Sequence, residues 1–236
     1  MPDVYGMIML DAAKGLDRQY TIERDDGHLD PDDVKTYITP YEKWSEREQS
    51  ALKHVKSPVL DVGCGAGRVA VYLQEQGHEV IGIDMSPGAI EASRMMGLNE
   101  ARLMSAEEMH FSDILFETVL FMGNNFGLLG TPEKTRHMLR ALYDITTDDA
   151  LVLAESVDAV KTENPRHLAY HQKNREEGRP PGIVTIRFLY RDEVSDWSKL
   201  WLALPEEMNS VAEEAGWFLA EQIGKNGPYI GLLRKR

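Results

Sequence analysis

Three stretches of this chain predict an α/β fold built on a doubly wound sheet. Pro58 to Arg68 reads Pro-Val-Leu-Asp-Val-Gly-Cys-Gly-Ala-Gly-Arg, an apolar run that enters Gly63, Gly65 and Gly67. A helical pattern follows through Val69, Ala70 and Leu73 and stops at Gly77. Glu79-Val-Ile-Gly-Ile-Asp84 is a second apolar run, followed by Ser86-Pro87 as N-cap and first helical residue and by Gly97 as the stop. Ala150-Leu-Val-Leu-Ala-Glu155 is a third, preceded by a helix that Thr131-Pro-Glu opens and Met138, Leu139, Leu142 and Ile145 face inward. Continuous apolar strands alternating with helices are what a parallel sheet covered on both faces requires.

The glycines after the first strand let the backbone turn tightly and let a ligand lie against bare main chain. The helix that follows offers unpaired N–H groups at its start, so the loop reads as a nucleotide-type cofactor site. A dinucleotide fingerprint starting at Gly63 would need glycine at position 68, where Arg68 stands, and no Gly-Lys-Ser/Thr of a phosphate loop occurs. Asp61 at the strand end would repel a pyrophosphate but suits a cationic amino group. Asp84, at the end of the next strand, is placed to accept hydrogen bonds from ribose hydroxyls.

Strand–Asp61–x–Gly63–x–Gly65–x–Gly67 resembles motif I of class I S-adenosylmethionine-dependent methyltransferases, and Gly82-Ile-Asp-Met-Ser-Pro-Gly-Ala-Ile-Glu91 is similar to their second motif. The resemblance covers residues 58–155 by motif and 205–236 by pattern. It implies a Rossmann-like, seven-stranded sheet of order 3-2-1-4-5-7-6 with an antiparallel C-terminal hairpin, and S-adenosyl-L-methionine as cofactor. It also implies that Asp61, Gly63, Gly65 and Gly67, with Cys64 and Arg68 in the same loop, surround the methionine part. Asp84 then holds the ribose, Met85 lies against adenine, and Ala106 with Glu107 lies near its edge. Ser105 stands where the family usually carries the Asp that bonds the adenine amino group; its hydroxyl accepts more weakly, or Glu107 takes over.

Glu117 to Met122 reads as the fourth strand, and Gly123-Asn-Asn-Phe-Gly-Leu128 as the loop leaving it. Ligands of open α/β sheets bind outside the carboxyl ends of strands, so Asn124 and Asn125 point toward the reactive end, with Asn124 near the methyl-donating group. Pro205-Glu-Glu opens a last helix with Met208, Val211, Ala212 and Ala215 on one face. Trp217 to Gly224 and Tyr229 to Leu233 form the closing hairpin.

The chain has 236 residues, 42% hydrophobic and 28% charged, and fits one globular domain. No apolar run approaches the roughly 20 residues of a membrane helix, and Met1 to Asp11 lacks the basic region of a signal peptide. The single Cys64 fits a reducing cytoplasm and reads as a small turn residue rather than a nucleophile. A net charge of −13 with scattered Lys and Arg argues against nucleic acid, which demands basic surfaces.

Residues 1–56 read as an N-terminal helical lid segment. Asp30-Pro31-Asp-Asp suggests a helix start, and Thr39-Pro-Tyr-Glu42 a capping box opening a helix with Trp44, Glu48, Ala51, Leu52 and Val55 on one face. The first 29 residues are read as polar, with no core strand. With Glu23-Arg-Asp-Asp-Gly27, the Thr-Pro-Tyr-Glu-Lys-Trp phrase resembles small-molecule methyltransferases whose N-terminal segment covers the cofactor. Residues 156–204 are an insertion on the substrate side, with two alternating segments, Ile183–Tyr190 and Val194–Leu202, as a hairpin. His167 and His171 share a helical face, but without His-Glu-x-x-His or a third ligand no metal is expected. His171 is the candidate base, because a neutral imidazole suits deprotonating a nucleophile. The expected function is methyl transfer to an O or N atom of a small-molecule acceptor. An RNA methyltransferase on the same core and a non-catalytic S-adenosylmethionine-binding protein remain alternatives.

Overall fold

The computed structural model describes residues 2–236. Helix α1 (Val4–Ala13) is followed by strands β1 (Gln19–Arg24) and β2 (Leu29–Asp33) and two 3-10 turns at Val34–Ile38 and Tyr41–Lys43. Next come α2 (Glu46–Leu52), β3 (Val59–Val62), α3 (Arg68–Glu75), β4 (Val80–Asp84), α4 (Pro87–Met95) and β5 (Ala101–Leu103). After β6 (Phe116–Phe121) the loop makes a 3-10 turn at Asn125–Gly127, then α5 (Pro132–Asp144) and β7 (Thr146–Val157) follow. The insertion holds α6 (Pro165–Glu176), β8 (Ile183–Tyr190), β9 (Glu193–Val194) and β10 (Ser198–Trp201). The chain closes with α7 (Pro205–Glu214), β11 (Trp217–Ile223) and β12 (Pro228–Lys235).

Seven strands form the main sheet in the order β11-β12-β7-β6-β3-β4-β5. Strands β3 to β7 pair in parallel, while β12 runs antiparallel to β7 and β11 folds back on β12. Numbered along the sheet-forming strands this is 3-2-1-4-5-7-6, the expected order. Alternate side chains divide the core by face. Leu60, Val62, Ile81 and Val152 meet α5 and α7 through Met138, Leu139, Met208 and Val211. Val59, Leu120, Leu151 and Ile230 meet α2, α3 and α4 through Ala51, Leu73 and Ile90. Burial of this double face is the main driving force, at about 25 cal/mol per Å² of apolar surface removed from water.

The N-terminal segment departs from expectation. It is not all helical, because β1 and β2 form an antiparallel hairpin and β1 pairs on its other side with β8 of the insertion. With β10 they make a second sheet, β10-β8-β1-β2, with the short β9 beside β8. Asp30-Pro31 starts no helix; it lies in β2, an edge strand, where the missing proline N–H costs no ladder bond. Thr39 starts no helix either. The capping box comes six residues later: Ser45 Oγ accepts from Glu48 N at 3.2 Å and Ser45 N donates to Glu48 Oε2 at 3.0 Å. Nor are the first residues a polar tail. Val4, Ile8, Met9 and Ala12 are buried with Ala66, Ala89 and Ala92 of the main domain and with Tyr20 and Tyr190 of the second sheet.

Candidate active site

The glycine loop stands at the carboxyl end of β3. Gly63 and Gly65 take φ of +74° and +55°, the left-handed region that a side chain resists. A Cβ on Gly63 would lie 2.5 Å from Asn125 Nδ2, so the loop also needs glycine for close approach. That amide donates to Gly63 O at 2.9 Å and Val62 O at 3.3 Å, tying the loop after β6 to the loop after β3. Asn124, just before it, is itself left-handed with φ of 68°.

Asp84 closes the same arrangement from β4. Its Oδ2 accepts from Gly65 N at 3.0 Å and its Oδ1 from Ser86 N at 2.9 Å. Each carboxylate oxygen keeps a lone pair, so Asp84 can still receive hydroxyl donors. Asp61 is 3% exposed. Burial pushes its carboxyl up to about 7, with the Asp84 charge adding and Arg68 opposing. A buried acid so placed calls for a cation, which an amino group of the cofactor would supply. Cys64 is buried and its thiol is pushed well up by burial and by Asp61 and Asp84, which leaves no nucleophile.

The remaining expected residues fall into distinct settings. Met85 is 74% exposed at the end of β4, an uncovered apolar side chain such as a flat ring could cover. Ala106 is buried, and Ser105 Oγ accepts from Glu107 N at 3.1 Å, forming a local turn. Glu107 pairs with Lys134 at 2.5 Å. Arg68 turns toward α2: its guanidinium bonds Glu48 at 2.7 Å and lies 4.4 Å over Trp44. His171 belongs to another layer, on α6 beside the second sheet. It is 4% exposed, its Nδ1 has no partner among the described residues, and burial, with His167, Arg175 and Arg24 nearby, pushes it down to about 4. His167 instead packs edge-on against His28 at 5.1 Å.

Two contributors escaped the sequence reading. Glu155, at the end of β7, accepts from Gly123 N at 2.7 Å and bonds Arg47 of α2 at 2.9 Å, fixing the loop that carries Asn124. The signal was an acid ending a buried apolar strand. Tyr5 of α1 reaches the glycine loop, where a Cβ on Gly65 would lie 3.3 Å from its hydroxyl. A concavity of about 660 Å³ near Pro58, His78 and Glu79 opens at the amino ends of β3 and β4, opposite this site.

A cradle of bare backbone, a buried acid for an amino group and a second acid for hydroxyls fit S-adenosylmethionine. The family described as "Methyltransferase domain" matches residues 59–149. A Bacteroides fragilis S-adenosylmethionine-dependent methyltransferase, solved with S-adenosyl-L-homocysteine, is 26% identical and superposes with a TM-score of 0.82 over 100% of this chain and 97% of its own. A Geobacillus protein named as a methyltransferase is 25% identical over 79% of this chain and 71% of its own. A ubiquinone biosynthesis O-methyltransferase of Ruegeria sp. is 25% identical over 67% of this chain, a match that spans 59% of the relative's length. Fold, strand order and glycine-loop chemistry agree with these likenesses: residues 59–149 form a methyltransferase domain, and the chain has the fold of the class I S-adenosylmethionine-dependent methyltransferases.

Proposed function

We propose that the enzyme transfers the methyl group to an oxygen or nitrogen atom of a small-molecule acceptor. The observation that carries this reading is the second sheet. The N-terminal segment and the insertion, neither needed by the methyltransferase core, pair through Ile22 with Phe188 and Glu23 with Arg187 into one layer. That layer packs on α1, which packs on the glycine-loop side of the domain. A roof of this kind suits enclosing a small acceptor and excluding water. The net charge of −13 also favours a small acceptor over a polyanion. The Ruegeria relative bears the name of an O-methyltransferase of ubiquinone biosynthesis, a small-molecule pathway. The single, buried Cys64 suits the reducing cytoplasm as the place of action.

Bound S-adenosylmethionine supplies an already activated methyl group, so the protein's task is alignment. Asp61 holds the amino end, Gly63, Gly65 and Gly67 give backbone contact, and Asp84 takes the ribose. Met85, Ala106, Ser105 and Glu107 border the adenine. Asn124, held by Glu155 through Gly123, lies near the methyl end. His171, uncharged at neutral pH, is the candidate to accept a hydrogen bond or proton from the acceptor, but its Nδ1 is enclosed and would have to be uncovered first. Its weak basicity makes it an orienting group more than a strong base.

Incubation with methyl-labelled S-adenosylmethionine and fractionated cell extract tests the reading. Label is expected in a low-molecular-weight product. Label in RNA, or no transfer despite tight cofactor binding, would overturn it.

A further inference from the structure

Helix α1 is docked into the cofactor half of the molecule by its own first turn. Asp3 caps α1, its Oδ1 accepting from Gly6 N at 2.8 Å. The other oxygen, Oδ2, accepts from Ser86 Oγ at 2.7 Å and Gly88 N at 2.9 Å. One carboxylate thus serves the amino ends of both α1 and α4, where helix dipoles favour negative charge. The two helices meet at glycines, since a Cβ on Gly88 would lie 2.6 Å from the Gly6 Cα. Ser86 follows the Asp84-Met85 corner, so α1 is anchored to the segment that borders the ribose and adenine.

This docking aims Tyr5. Its ring is held edge-on by Tyr37 at 5.9 Å and at a tilt by Phe188 at 5.5 Å, which leaves the hydroxyl pointing down at Gly65. Among the described residues the hydroxyl feels the charges of Asp84, Cys64 and Asp61 but forms no hydrogen bond with them. Asp84 already accepts from two backbone amides, and Asp61 is set for an amino group. What the glycine loop lacks is a side-chain donor for the opposite charge of an amino acid.

We infer that Tyr5 is a cofactor-binding residue whose hydroxyl donates to the carboxylate of the methionine part. The inference rests on the cofactor assignment above. The tyrosine is half-buried and its phenol's acidity is suppressed, first by desolvation and then by the neighbouring Tyr37 and acids, so it stays a donor throughout the working pH range. Tyr37 and Phe188, from the roof, pack against the ring and hold it over the glycine loop.

The test is calorimetry on the whole chain with two ligands. S-adenosyl-L-homocysteine carries the amino-acid end; 5′-methylthioadenosine lacks it. Tyr5→Phe should weaken S-adenosyl-L-homocysteine roughly tenfold or more, the effect of losing a hydrogen bond to a charged group, and leave 5′-methylthioadenosine unchanged. Equal weakening of both ligands would mean that Tyr5 only shapes the fold, and unchanged S-adenosyl-L-homocysteine affinity would mean no contact; either overturns the inference. Failure of the unmodified protein to bind S-adenosyl-L-homocysteine would instead strike the cofactor assignment itself.

Discussion

Asp61 carries the least comfortable charge at the site, and its titration has a definite sign. Its folded value, about 7, lies above the ordinary 3.8, chiefly through burial. Between those values the native state binds more protons than the unfolded chain, so stability of the ligand-free enzyme falls as pH rises through that window. In the proposed placement of the cofactor, its amino group would reverse the preference and hold Asp61 ionised. Binding of S-adenosyl-L-homocysteine at pH 6 should therefore release a proton, and affinity should weaken as pH falls below about 7, by up to roughly tenfold per unit. Calorimetry in two buffers of different ionisation enthalpy measures the release. Asp61→Asn should abolish it, and equal heats in both buffers for the unmodified enzyme would refute the pairing.

At the scale of elements, the cofactor half was legible because its signals are local. Apolar runs, glycines and caps within 58–155 each declare an element, and Asp61, the glycines and Asp84 sit inside those declarations. The N-terminal half was not, for three physical reasons. Helix α1 is apolar on nearly every side, Val-Tyr-Gly-Met-Ile-Met-Leu, so no stripe announces it. Asp30-Pro31-Asp-Asp has the chemistry of a helix start, but pairing with β1 overrides it. And the partner of β1 is β8, with Glu23 bonded to Arg187 across 164 positions, a distance no local pattern spans. Tyr5 and Glu155 were invisible as site residues for the same reason: their roles come from what folds against them. The docking of α1 gives a prediction at this scale. Asp3→Ala removes an N-cap, worth about 1 kcal/mol. It also strips Ser86 and Gly88 of their acceptor. The unfolding midpoint should fall by roughly 2–4 °C for each kcal/mol lost, and an unchanged melting curve would show that the clasp does not hold α1 in place.

At the scale of the whole molecule, the N-terminal segment and the insertion stabilise each other as strands of one sheet, and both lean on α1. The polar reading of the first residues would let residues 1–29 be removed without harm to the core. The structure argues otherwise. Removal takes β1 out of the middle of the second sheet, strands β8 as an unpaired edge, and exposes Ala66, Ala89 and Ala92 where Val4, Ile8 and Met9 had covered them. It also leaves Tyr190 without Asp11, its buried hydrogen-bond partner at 2.6 Å. Burying even two or three such apolar side chains contributes about 1.5–3 kcal/mol each, a large share of a typical domain's stability. A chain lacking residues 1–29 should therefore melt well below the full protein, and it should bind S-adenosyl-L-homocysteine weakly because Tyr5 goes with the segment. In the full protein, S-adenosyl-L-homocysteine should slow proteolysis of residues 1–29, since the proposed ligand site and α1 share the face at Gly65. A truncated chain with an unchanged melting midpoint and unchanged affinity would show that the segment is an appendage, and the insertion alone would then have to enclose the acceptor.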